Sequence, residues 1–178
     1  FEAKPGTHFE YQSGATQLLG FAVRKAVGIP LSYYASQKLW KPLGMESQAY
    51  WNTDENGMEK TFCCVNAIPR DYAKLGQLML QKGNWNGKQL LDSTYIQKMI
   101  TPTKLSGGIY GMGIWVNQEA PVKFYHFWGF TGQVIIVIPE KNMVIVRTGK
   151  YNGEAKDAKG RSVQAAFLAQ ECAKVFGQ

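Results

Sequence analysis

Val134 to Ile138 reads VIIVI, an unbroken β-branched run closed by Pro139. It is too short for a helix, and its β-branching favours a strand. Side chains alternate along a strand, so Val134, Ile136 and Ile138 must point one way and Ile135 and Val137 the other. Neither face can meet water. The run is apolar enough to be buried on both faces, so helices must cover the sheet. Aromatic and β-branched stretches at Tyr110 to Asn117, Val122 to Trp128, Gln133 to Ile138 and Met143 to Thr148 predict an antiparallel meander. Pro139 to Asn142 is its last hairpin connection.

Helical patterns supply the covers. Pro69 suits a first helical position, and the segment it opens carries Tyr72, Leu75, Leu78 and Met79 inward before Gly83. Asp92 caps a short helix to Ile100, and a last helix runs from about Gly160 to Phe176 with Ala165, Leu168, Ala169, Cys172 and Val175 on one stripe. In the first half, Ser13 is placed to cap a helix from about Gly14 to Val27. A second helix is expected from Ser32 to Lys41, stopping before Pro42. The fold class is α+β, with helices first and strands later. Two regions are expected: residues 1–107, helical with connections, and residues 108–178, strands with a terminal helix.

At 178 residues with 45% in the hydrophobic class, the chain can bury one sizeable core. Lys and Arg number 20 against 13 Asp and Glu, but they are scattered, so the net charge of +7 points to solubility before nucleic acid. No apolar run approaches the roughly 20 residues of a membrane span. The chain begins at Phe1 and reads as a piece of something longer. Its three cysteines, with Cys63 and Cys64 adjacent, show neither a disulfide framework nor CxxC spacing, and small buried thiols are the expectation.

Common catalytic templates fail. There is no GxSxG elbow, no GxxxxGK[ST], no HExxH and no GxGxxG, so no cofactor is indicated. The two histidines, His8 and His126, are too few for a metal site. His126 falls in a strand, where a hydrogen-bonded structural histidine is expected.

Four segments in order carry a resemblance: PGTHFEYQSG, then PLGM, then IPRDYAKLGQLMLQKG, then HFWGFTGQVIIVIPEKN. Together they resemble the C-terminal half of the β-lactamase-like serine hydrolases. That group includes class C β-lactamases, penicillin-binding DD-peptidases, carboxylesterases of this type and 6-aminohexanoate-dimer hydrolase. The resemblance implies the later part of a β-lactamase/transpeptidase-like fold, in which an α/β lobe packs on a helical lobe. It also implies a partner, the N-terminal part of the same protein carrying Ser-x-x-Lys. No serine here has lysine three residues on, and Thr101-Pro102-Thr103-Lys104 runs into Ser106-Gly107-Gly108, which cannot continue a helix.

Tyr11-Gln12-Ser13 matches the group's Tyr-x-Asn or Tyr-x-Ser motif, which makes Tyr11 the implied general base. Ser13 either contacts substrate or caps the helix. Phe127-Trp128-Gly129 take the places of Lys-Thr-Gly, and the N–H of Phe130 becomes one half of the implied oxyanion hole. Gly129 allows close approach of substrate, Trp128 lines an acyl pocket or packs the sheet, and His126 offers partial positive charge if the register slips by one. Loss of the motif lysine moves the implied substrate from β-lactams towards esters or other amides, as small-molecule or peptide-like compounds. A second reading is a catalytically inactive module of the same fold that holds a peptide or small acyl ligand. For the compartment, the bacterial periplasm or cell envelope stands slightly ahead of the cytoplasm.

Overall fold

The structure, a computed structural model, describes residues 3–150 and 155–177. It divides into two compact units: Glu10–Asp71, and Tyr72 onward together with the segment ending at Phe9.

The larger unit is organised by a four-stranded antiparallel meander: β5 (Trp115–Asn117), β6 (Phe124–Trp128), β7 (Val134–Ile138) and β8 (Met143–Arg147). The two-residue strands before them are β1 (Tyr50–Trp51), β2 (Val65–Asn66), β3 (Asn84–Trp85) and β4 (Lys88–Gln89). Every residue of β7 is buried, because it is the inner strand with β6 on one edge and β8 on the other. Its two faces go to separate cores. Val134, Ile136 and Ile138 pack with Phe124 against Ala165, Ala169 and Ala173 of α5 (Val163–Phe176). Small alanines allow that helix to lie close to the sheet. Val137 packs on the other side with Met79 from α3 (Pro69–Leu80) and Ile96 from α4 (Ser93–Ile100). On α3, Gly76 faces Ile135 and Val144, and a Cβ there would overlap both side chains.

The structure trims several expected elements. The strand expected from Tyr110 reduces to a bridge between Tyr110 and Trp115 followed by β5, because Gly111 and Gly113 turn the chain, Gly113 at φ 76°. The terminal helix starts at Val163, not Gly160. Gly160 lies in a turn at φ 80°, and the Ser162 hydroxyl caps the helix by accepting from the N–H of Ala165 at 3.0 Å. Asn86 and Gly87, both at positive φ, close the β3–β4 hairpin.

The smaller unit holds α1 (Ser13–Val27), α2 (Leu31–Ala35), which ends in a wide π turn over Ser36–Trp40, and the β1–β2 ribbon. Its organising group is a carboxylate that sequence patterning does not single out. Glu59 is buried and accepts from the N–H of Ser32 at 2.9 Å and from its hydroxyl at 2.8 Å, with the Arg24 guanidinium at 3.4 Å. Asp71 is buried in the same way, accepting from the N–H groups of Glu46 at 2.7 Å and Ser47 at 3.1 Å.

Burial is the largest single influence on Glu59 and opposes its ionisation; the bonds from Ser32, together with its own and Leu31's backbone, outweigh it and hold the carboxyl below its ordinary range. Its contribution to stability is therefore complete above about pH 4.3 and is lost as pH falls through the lower folded-state value. Glu59→Gln is expected to lower stability at pH 7 by about 1–3 kcal/mol and to flatten this acid limb, read by urea denaturation across that range. In the other unit, Ile136→Ala is expected to cost about 2–5 kcal/mol by the same measurement, because it opens a cavity against α5.

Candidate functional site

Tyr11 and Ser13 stand at the head of α1 in the smaller unit. Gln12 takes the N-cap place in extended conformation and makes no side-chain cap bond. Ser13 is thus the first helical residue and does not cap the helix as one sequence reading had it. Its side chain is exposed, and Tyr11 is about half exposed.

The other candidates follow one another along β6 and out of its end. His126 and Trp128 project to the α5 side with Phe124, whereas Phe127 packs on the opposite side beside the Met79 cluster. His126 is 2% exposed. Burial pushes its imidazole down to about 3, so it is neutral near pH 7 and carries no positive charge towards a substrate. Neither ring nitrogen has a hydrogen-bond partner among the described residues, which departs from the hydrogen-bonded strand histidine expected from sequence.

Trp128 belongs to an aromatic row. Trp115 meets it edge-on at 5.0 Å between centroids, Tyr110 meets Trp115 at 4.9 Å, and Phe9 meets Tyr110 at 5.5 Å. The ammonium of Lys156 stands 5.2 Å from the Trp128 ring centroid, within cation–π range. Beyond Trp128 the chain makes a tight turn. The Gly129 N–H donates to the Gln133 carbonyl at 2.8 Å, the Gly132 N–H donates back to Gly129 at 3.0 Å, and Thr131 bonds the Gln133 amide. A Cβ at Gly129 would stand 2.8 Å from the Gln133 side-chain oxygen. Phe130 lies at the tip, its side chain fully exposed, and its N–H donates to no other backbone group among the described residues.

Sequence reading passed over the group that braces this turn. Arg147 of β8 donates to the Gly132 carbonyl at 2.7 Å and to Gly149 at 2.6 Å. Its only signal was an arginine ending an apolar strand, and a register pairing it with Val134 is needed to bring it to the turn.

The family described as Beta-lactamase matches residues 1–170 of this chain. The chain belongs to the beta-lactamase family. Among curated proteins, an Escherichia coli (strain K12) protein with the provisional name D-alanyl-D-alanine carboxypeptidase is 25% identical over 198 residues, covering 82% of this chain and 45% of that protein. Among solved structures, one provisionally titled 6-aminohexanoate-dimer hydrolase from Bacillus anthracis superposes with a TM-score of 0.76 at 27% identity, covering 97% of this chain and 44% of its own. A second, provisionally a beta-lactamase from Bacteroides dorei DSM 17855, has a TM-score of 0.75 at 20% identity, covers 98% of this chain and 60% of its own, and speaks for the fold alone. The chain spans less than half the length of the curated relatives it matches. The α+β, beta-lactamase-like fold expected from the sequence is the one found.

Among the described residues, no group of three His, Cys, Asp or Glu side chains stands together as a metal site, and no helix is long and apolar enough to cross a membrane. Replacing Arg147 with alanine should loosen the Gly129–Gln133 turn. The expected result is amide exchange at Gly129 and Gly132 faster by about tenfold, with β7 little changed.

Proposed function

We propose that this chain is the C-terminal part of a serine hydrolase that cleaves an ester or amide through an acyl-enzyme, the Ser-x-x-Lys motif lying outside these residues. The observation that carries the reading is the family match over residues 1–170, which spans both the Tyr11-Gln12-Ser13 segment and the Phe127-to-Phe130 segment. The names of the relatives, a carboxypeptidase and a dimer hydrolase, support hydrolysis as the reaction class.

Tyr11 takes the proton of the serine hydroxyl as that oxygen attacks the substrate carbonyl, then returns it to the leaving group. Water next attacks the acyl-enzyme and restores the serine. A phenol with an ordinary pKa of about 10 is a weak base at neutral pH, so this role requires the motif lysine as a neighbouring cation. The N–H of Phe130, uncommitted to the backbone network of its turn, is suited to receive the developing oxyanion. As backbone, it acts whatever the side chain there.

Phe127 fills the motif-lysine position with an apolar group packed into the Met79 cluster, so no cation is offered there to a substrate carboxylate. That favours esters and non-β-lactam amides, small or peptide-like, over β-lactams. Gly129 leaves room for backbone approach, Trp128 borders the turn with the buried, neutral His126 ring 6.0 Å from its own, and Ser13 supplies a hydroxyl for substrate. Residues 1–107 continue the helical lobe of the whole protein and residues 108–178 its sheet lobe. The bacterial periplasm or cell envelope is the proposed location, an oxidising setting in which a bond between Cys63 and Cys64 persists.

A fluorophosphonate probe applied to the intact protein tests the reading. Covalent labelling of a serine is expected, with Tyr11→Phe lowering kcat/KM for ester hydrolysis by about 10²–10⁴. An intact, folded protein that takes no label is instead a binding module of the same fold.

A further inference from the structure

Cys63 and Cys64 are joined to each other, which corrects the sequence expectation of two buried thiols. Cys172 is the free cysteine. Both bonded residues are partly exposed. The backbone around them is held on each side. The Cys63 carbonyl accepts from the Trp51 indole at 3.1 Å, and the Cys64 carbonyl accepts from the Asn52 N–H at 3.1 Å and from the Asn66 side chain at 3.0 Å.

Cys64 has φ of 75°, a left-handed conformation that a residue with a Cβ holds only where its surroundings enforce it. A ring closed through adjacent cysteines is such a constraint. Opening it removes the enforcement, and a return of Cys64 to negative φ would swing its carbonyl away from Asn52 and Asn66.

The same loop grips helix α1. Immediately before the pair, the Thr61 N–H donates to the Gln17 side chain at 2.9 Å, the Thr61 hydroxyl donates to the Thr16 carbonyl at 3.0 Å, and Gln17 donates to the Glu59 carbonyl at 3.0 Å. Gly20 leaves the space that the Thr61 side chain occupies. These contacts fall on the first turns of α1, directly after Tyr11.

We propose that Cys63–Cys64 is a reversible thiol–disulfide site, opened by a dithiol reductant, and that its opening loosens the grip of the Glu59–Thr61 loop on α1. One thiolate of the reductant attacks a cysteine sulfur, forming a mixed disulfide and releasing the other as a thiolate that takes a proton. The second reductant thiol then displaces the remaining cysteine and leaves as a cyclic disulfide. Two electrons and two protons pass to the protein, and a disulfide oxidant reverses the exchange. The site is independent of the hydrolase reading, since it requires neither a serine nor a substrate.

The test uses the intact protein carrying Cys172→Ser, after exposure to oxidised glutathione and with or without dithiothreitol. Without the reductant no alkylation is expected within this chain. With it, both Cys63 and Cys64 should alkylate, and the unalkylated protein should gain about 2 Da. Amide exchange at Thr61 and in the first turns of α1 should rise by about tenfold on reduction and fall again on reoxidation. A Cys63→Ser/Cys64→Ser variant should exchange like the reduced protein and ignore dithiothreitol. Two alkylated thiols without reductant, or cross-links between molecules, would overturn the site. Unchanged exchange on reduction would overturn its link to α1, and the wild-type comparison stands even if the double variant does not fold.

Discussion

A strand without a polar face dictates the larger unit. Because every side chain of β7 is apolar and both edges are paired, water must be excluded from above and below the sheet at once. The alanine stripe of α5 meets one face, and α3 with α4 meets the other. The surfaces that carry chemistry in the proposed reading are what this packing leaves over. β6 ends where the chain must turn back into β7, and the turn places the Phe130 backbone at an exposed tip braced by Arg147. A rigid scaffold thus presents a loop group in a fixed direction.

The smaller unit solves its packing by other means. With short strands and few fully buried apolar side chains, it relies on Glu59 and Asp71, buried carboxylates that gather backbone N–H groups from neighbouring segments. Such groups are costly to bury unless every lone pair is used, and for that reason they specify where the segments must lie. The Glu59–Thr61 loop extends this polar framework to the first turns of α1, where Gln17 bonds both Glu59 and Thr61.

Elements with a strong local pattern were legible from the residues. VIIVI formed the expected strand buried on both faces, and Asp92 capped its helix by accepting from the N–H of Tyr95. Boundaries that depend on glycine conformation were less so. Gly160 reads as a helical residue until its positive φ places it in a turn, and Gly111 with Gly113 cut short a segment rich in strand formers. The Tyr-x-Ser and FWGF segments could be read as motifs, whereas the cap at Gln12 in place of Ser13 and the lack of a hydrogen-bond partner for His126 among the described residues could not.

The sequence by itself determined the α+β class, the antiparallel meander of the second half, the need for two covering layers and the family that the segments resemble. The class and the covering layers follow from periodicity and β-branching, which are properties of neighbours along the chain, and the family from the resemblance of the segments taken together. Only the tertiary structure decided that Arg147 reaches the Gly129–Gln133 turn, that Glu59 and Asp71 are buried among backbone donors, and that Cys63 and Cys64 are joined beside a loop gripping α1. Each depends on groups far apart in sequence, or on a backbone angle set by such groups, and no local pattern encodes that.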